Sequence, residues 1–252
     1  MTLSTENIQN RLNRSFKFYE SVDSTNDIAK TWLQDDALSG AVVIADEQLK
    51  GRGRKGRTWH TPPTVALALS VILRPDQQYL SRVNLIGALA VYDLVTYVGA
   101  TQVGIKWPND VQVKGKKISG ILPEVVWNGD ELVGVVLGMG VNVRVDFSET
   151  ELKDKAVSLE TIVNKKLNRA DLLVYLLNRI DMWYQRIASD ALFMTWKSRL
   201  NMLGTRVVIE DLEGLAVNVE PDGALLVQDD FDVMQRVLAG DVFVVSDKPR
   251  TS

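Results

Sequence analysis

Apolar residues recur along this chain with two periods, and the switches between them mark its elements. In residues 26–33, Ile28, Ala29, Trp32 and Leu33 fall on one helical face, and Ser24 or Thr25 can supply the N-cap. Residues 41–45 and 65–73 are short apolar runs rich in β-branched side chains and bounded by Gly or Pro, which predicts two strands. Between them lies a loop rich in Gly and Arg. The helical period returns over 80–98 through Val83, Ile86, Leu89, Ala90, Leu94 and Val98, with Gly99 as the C-cap of a helix that backs a sheet. Three β-like runs follow, at 103–107, 117–127 and 132–143, divided by Pro-Asn-Asp, Lys-Gly-Lys and Asn-Gly-Asp turns.

Helical spacing resumes across 169–200 through Leu172, Leu176, Ile180, Trp183 and Ile187, with a break at Ser189-Asp190 that predicts two helices. After Gly204 the chain changes to short strands separated by Gly or Asp turns, the last run ending at 240–245. These strands predict a small β-barrel or curled sheet, too small to be stable alone without a disulfide or metal and therefore docked on the main body. Residues 1–20 are polar and too few for a separate helix-turn-helix domain. The expected division is a strand-rich, helix-backed domain over 1–200 and a small β-domain over 201–252.

Composition removes several function classes. Of 252 residues, 46% are apolar and 24% charged, the range of an ordinary globular protein. The 29 Lys+Arg against 32 Asp+Glu leave a net charge of −3, which argues against gripping nucleic acid with the whole surface but not against local basic patches. Zero Cys excludes disulfides, thiolate metal sites and cysteine nucleophiles, and the lone His60 has no partner for triad or metal chemistry. No metal motif is present. The longest apolar run, 65–73, is interrupted by Ser70 and falls short of the roughly 20 residues a membrane span needs. The first residues lack the apolar core of a secretory signal, so a cytoplasmic location is expected.

Three features carry candidate chemistry. The first is Lys50-Gly51-Arg52-Gly53-Arg54-Lys55-Gly56-Arg57, with five positive charges and no acid. Its glycines let backbone N–H groups approach an anion, and its guanidinium forks match phosphate or carboxylate oxygens. It is neither the dinucleotide-binding fingerprint nor a P-loop, and a solvated basic loop or an Arg-Gly nucleic-acid contact has the same composition. Trp59 follows directly and suits either a flat ligand ring or a core position. The second is Lys106-Trp107-Pro108-Asn109-Asp110 with Lys117-Ile118-Ser119-Gly120 just beyond. Pro108 stiffens the turn from which Asn109 and Asp110 project, and Lys117 opens an apolar run where a fixed cation is worth more than a solvated one. A plain solvated hairpin fits the same letters. The third is a β-like run in which Gly138 and Gly140 precede Asn142. Glycine inside a strand marks either a bulge or close approach of a ligand or another chain segment.

In order, Asp23-Ser24-Thr25-Asn26, Gln48, GRGRKGRTW, KWPND, KISGIL, GMGVN and a C-terminal DGALLV resemble the biotin protein ligase family over nearly the whole chain. The resemblance implies an α+β fold: a mixed β-sheet catalytic domain backed by helices, like class II synthetases, with a small C-terminal SH3-like β-barrel. It implies that biotin and ATP, with Mg2+, form biotinyl-5′-AMP, and that biotin then passes to one lysine of a biotin carboxyl carrier protein. On this similarity Ser24, Thr25, Asn26 and Gln48 bond the ureido ring, while Gly51, Arg52, Gly53 and Arg54 close over the carboxylate and the new phosphate. Lys117 bridges carboxylate and α-phosphate, Gly120 leaves room for the ligand, and Arg57, Trp59, Asn109 and Asn142 lie near the nucleotide, with Arg54 and Lys117 shared between the two ligands. Asp110 is the candidate to orient and deprotonate the incoming lysine.

Leu49-Lys50 departs from the pair usual before GRGR, and Pro123 falls in a segment generally free of proline. No N-terminal DNA reader is expected, which implies a monofunctional ligase that does not bind DNA. Family members occur as monomers and as homodimers built from side-by-side sheets, so both states stay open. Two other readings remain: a lipoate or octanoate ligase of the same fold, and a nucleic-acid-binding protein that uses the basic loop.

Overall fold

The structure is a computed structural model that describes residues 3–59 and 61–245. His60, expected to be a bystander, and the last residues of the expected small β-domain lie outside the described residues. A short helix α1 (Thr5–Gln9) leads into β1 (Phe16–Val22), followed by α2 (Thr25–Gln34), β2 (Val42–Gln48), the Gly/Arg loop and β3 (Ala66–Leu73). Helix α3 (Arg82–Tyr97) precedes β4 (Val103–Lys106), β5 (Asp110–Val113), β6 (Lys116–Asn128) and β7 (Glu131–Asn142). These seven strands form one mixed sheet in the order β1-β2-β3-β7-β6-β5-β4, in which only β1 and β2 run parallel.

Strand alternation gives the sheet two different faces. Leu67, Leu69 and Val71 of β3, with Leu137, Met139 and Val141 of β7, join the large core beneath α3 and the later helix α5 (Arg169–Tyr184). The backbone approach is close enough that a Cβ on Gly87 of α3 would meet Ile121 Cγ2 at 2.8 Å. On the opposite face Ile72 and Val136 pack with Ala29 and Leu33 of α2 in a smaller core. Beyond the end of α2 this second face is paved by Ala68, Ser70, Gly138 and Gly140, too small to build another apolar layer.

After α4 (Leu159–Val163) and α5, the expected break at Ser189-Asp190 leaves α6 (Asp190–Ser198), capped by the Ser189 hydroxyl. A second, antiparallel sheet then forms from β8 (Arg206–Ile209), β9 (Leu212–Val219), β10 (Leu225–Gln228), β11 (Met234–Val237) and β12 (Phe243–Val244), ordered β11-β10-β9-β8-β12. Among the described residues no pairing joins β11 to β12, so the strands form a curled open sheet and not a closed barrel. The chain is a mixed α+β fold, as expected. It differs in two places. The opening segment, read as polar, contains α1 and β1, because Phe16 and Phe18 pack on the large core and Tyr19 on the smaller one from an edge strand whose Glu20 and Ser21 are exposed. The Pro-Asn-Asp segment is not merely a turn, since Asp110 begins β5, hidden in the sequence by its length of four residues.

Candidate active site

The second sheet face, the N-terminus of α2 and the Gly/Arg loop enclose the candidate site. Ser24 is the N-cap residue of α2 in extended conformation, but its side chain makes no capping bond. Thr25 donates both its backbone N–H and its hydroxyl to Gln48 Oε1, at 2.9 and 3.0 Å. The Ser70 hydroxyl lies 2.6 Å from Asn26 Oδ1 and 2.8 Å from Thr25 Oγ1, and Asn26 Nδ2 donates to Glu124 Oε2 at 2.5 Å. Ser24, Thr25 and Asn26 are all buried, so this polar group survives only because its members satisfy one another or a ligand. A Cβ on Gly138 would stand 2.2 Å from Asn26 Oδ1, so this glycine is what admits Asn26 to the sheet surface. Strand β7 keeps unbroken register with β3 at Gly138 and Gly140, which makes close approach, not a bulge, the reason for both.

Next to this polar group the indole of Trp59 lies on the glycine floor. A Cβ on Gly140 would fall 2.2 Å from Trp59 Nε1, and one on Gly120 would fall 3.3 Å from the ring. The indole N–H is buried without a hydrogen-bond partner, against the sheet at Gly140. Gly51 packs so tightly that a Cβ would lie 2.3 Å from the Trp59 carbonyl oxygen. Lys117 is part-exposed but paired: its Nζ is 2.7 Å from Asp110 Oδ1 and 5.5 Å from the centre of the Trp59 ring. Asn109, carried past the Trp107-Pro108 dipeptide, is buried and donates to the Ile121 carbonyl at 2.5 Å, while its Oδ1 accepts from Arg54 at 3.3 Å.

The electrostatics are uneven. Arg54 is half-buried; burial pushes its guanidinium pKa down, with Asp241 and Asp110 pulling it back up and Arg57 adding to the fall. Lys106 is in the same position, lowered first by burial, against the pull of Asp110 and Asp241. Arg52 instead makes a two-armed contact with Asp27, 2.6 Å per arm, which holds the Asp27 carboxyl at about 2.

The structure therefore brings Ser24, Thr25, Asn26 and Gln48 into one cluster and Gly51, Trp59, Asp110, Lys117 and Gly120 into a second, with Arg54 and Asn109 paired. Gly53 sits at the loop's tight turn, its N–H donating to the Arg57 carbonyl at 2.6 Å. Two expected site residues point elsewhere, Arg57 to Asp241 of the C-terminal segment at 2.6 Å and the buried Asn142 amide to the Val157 carbonyl at 3.3 Å, whereas Arg52 pairs with Asp27 at the start of α2 and comes within 3.6 Å of Glu124. Sequence reasoning missed Ser70, Glu124 and Lys106 as site-lining groups. Only Lys106, inside KWPND, carried a local signal.

Comparison with known proteins fits this arrangement. Residues 18–142 match the biotin/lipoate A/B protein ligase family. The biotin–[acetyl-CoA-carboxylase] ligase of Mycobacterium tuberculosis is 35% identical over 225 residues, 81% of this chain and 79% of that protein. The chain belongs to this family. The bifunctional ligase/repressor BirA of Bacillus subtilis is 32% identical over 223 residues, 84% of this chain and 68% of that protein. Among solved structures, the Aquifex aeolicus biotin protein ligase in complex with biotin and ATP superposes with a TM-score of 0.77 at 28% identity, covering 92% of this chain and 98% of that one. In this chain the second sheet face is floored by Gly120, Gly138 and Gly140, with Trp59 of the Gly/Arg segment lying on it. No helix of the described residues is long and apolar enough to cross a membrane.

Proposed function

We infer that this chain is a biotin–carboxyl carrier ligase that takes biotin and ATP as substrates, forms biotinyl-5′-AMP and transfers the biotinyl group to a lysine of a carboxylase carrier domain. The observation that carries the reading is the fixed Lys117–Asp110 pair on a glycine floor, between a buried polar cluster and a half-buried arginine. A carboxylate is a poor acyl donor because oxide is a poor leaving group. Adenylation replaces it with AMP, and the reaction then needs preorganised cations more than a covalent nucleophile.

In this reading Ser24, Thr25, Asn26 and Gln48 receive the ureido ring, whose N–H and C=O groups match their mixed donors and acceptors. Gly51, Arg52 and Gly53 line the loop wall and Gly120 the floor. Lys117 turns from Asp110 to the biotin carboxylate and α-phosphate, where one carboxylate oxygen attacks phosphorus as pyrophosphate leaves. Arg54 and Asn109 meet the new phosphate and Trp59 borders the nucleotide, while Arg57 and Asn142, turned to Asp241 and Val157, support the surroundings without contacting it. Once Lys117 has moved, Asp110 is free to orient the acceptor ammonium and take its proton; the amine attacks the acyl carbon and AMP departs. Mg2+ bound with ATP would supply charge neutralisation on the leaving pyrophosphate, and the chain need hold it only through the nucleotide's phosphates. The lipoate alternative is disfavoured because a plain chain offers the buried polar cluster no donors or acceptors to recognise. The proposed domains are 1–200, which carries these groups, and 201–252.

Biotin-dependent exchange of pyrophosphate into ATP tests the assignment. Wild type should exchange, and Lys117→Ala should lower the rate by at least about a hundredfold, the scale of losing one transition-state cation. Unchanged exchange would remove Lys117 from the mechanism.

A further inference from the structure

The five cations of the Gly/Arg loop divide into two kinds. Lys50 reaches Asp23 at 2.7 Å, Arg52 reaches Asp27 through both arms at 2.6 Å, Lys55 reaches Glu210 at 2.7 Å and Arg57 reaches Asp241 at 2.6 Å. Two of these carboxylates stand at the start of α2 and two in the C-terminal segment, so the loop is held from opposite sides. Arg54, between them, makes no carboxylate contact among the described residues; its guanidinium meets only the Asn109 amide oxygen, at 3.3 Å. Asp27 and Asp241 are both held below the ordinary carboxylate range, Asp241 by Arg57, Lys55 and Arg54 against the opposing pull of burial.

If these carboxylates merely occupied phosphate positions, the half-buried Arg54, the loop cation best placed for an anion, would be the first to carry one. It carries none. Their pattern is that of tethers on the flanking cations.

We propose that Asp27 and Asp241 are positioning residues that fasten the Gly/Arg loop over the site from α2 and from the C-terminal segment, leaving Arg54 as the loop cation presented to the bound adenylate. The inference rests on the biotin-ligase reading. A loop already fastened loses less freedom when ligand binds, and the ligand escapes only when the fastening opens. The C-terminal segment thereby takes part in retaining the intermediate without itself contacting the reacting atoms.

The test uses the full chain. Biotinyl-5′-AMP is formed in place from biotin, ATP and Mg2+, free ligands are removed, and release of the adenylate is timed. Exposed ion pairs are individually weak, so release should quicken about twofold in Asp241→Asn, about fivefold in Asp27→Asn, whose pair is two-armed, and roughly tenfold in the double variant. Wild-type release should accelerate with salt toward the rate of the double variant, which should itself respond little. Asp27→Glu, which keeps the charge, should recover most of the lost retention, whereas a merely structural role predicts neither rescue nor a difference in salt response. Thermal melting of each variant accompanies the rates, and the wild-type salt series stands even for a variant that does not fold. Release unchanged or slowed, or a lower KM for ATP in Asp241→Asn, would overturn the inference. If wild type formed no adenylate, the ligase reading would fall with it; adenylate formed and released at one rate by all variants would sink the tethers alone.

Discussion

At the scale of single residues, the site depends on atoms that are missing. Gly138 lacks the Cβ that would collide with the Asn26 amide, and Gly140 lacks the one that would collide with the Trp59 indole. Gly138→Ala should therefore push Asn26 off the sheet surface and break its contact with Ser70. Overpacking of this kind costs about 1–3 kcal/mol. Because the displaced group belongs to the proposed biotin pocket, the KM for biotin should rise by about tenfold or more, with the KM for ATP nearly unchanged. Initial-rate kinetics with each substrate varied in turn would check this; a change confined to ATP would place Asn26 on the wrong side of the site.

At the scale of elements, the buried pair between β2 and α5 holds the large core to the sheet. Arg169, the first residue of α5, is fully buried, bonded to Asp46 at 2.5 Å and to the Ala66 carbonyl at 3.0 Å, with its Nε unpaired. A cation at a helix N-terminus is opposed by the helix dipole, so Asp46 carries most of the compensation. Asp46→Asn should lower stability by about 3–5 kcal/mol, because a guanidinium is left without its counter-charge in the interior. The shift in urea midpoint measures it, and a shift below about 1 kcal/mol would mean that water or relaxation rescues Arg169. Elements of this length were largely legible beforehand: the helical spacing of Ile28, Ala29, Trp32 and Leu33 marks α2 to within a residue or so, and the Gly99 stop marks the end of α3. Strands β1 and β5 were not, because edge strand β1 is half-buried on both faces with no clear alternation, and β5 is too short to show a period. Lys117, Gln48, Arg52 and Arg54, which the fold brings to the candidate site, stood out through motifs close together in the chain, but the same motif gave no sign that Arg57 turns to Asp241 instead. Asp27, Glu124, Glu210 and Asp241 were not, since nothing local distinguishes a surface acid from one that meets an arginine brought from far away by the fold.

At the scale of the whole molecule, the two sheets are joined at the same place where the proposed chemistry occurs. The buried Trp107 donates its indole N–H to the Gly223 carbonyl at 2.8 Å, and Lys106 lies 5.0 Å above the Phe243 ring, so the C-terminal sheet docks against the strand end that presents Asn109 and Asp110. Together with the Lys55–Glu210 and Arg57–Asp241 pairs, these contacts set the C-terminal sheet beside the proposed nucleotide site. What unifies these features is one reaction, the joining of a carboxylic acid to AMP on a glycine floor under fixed cations. Mass spectrometry of the products after mixing the protein with ATP, Mg2+ and either biotin or lipoate tests it most directly. The account predicts biotinyl-5′-AMP with biotin and essentially no adenylate with lipoate; lipoyl-AMP in place of biotinyl-AMP, or ATP left intact in both mixtures, would contradict it.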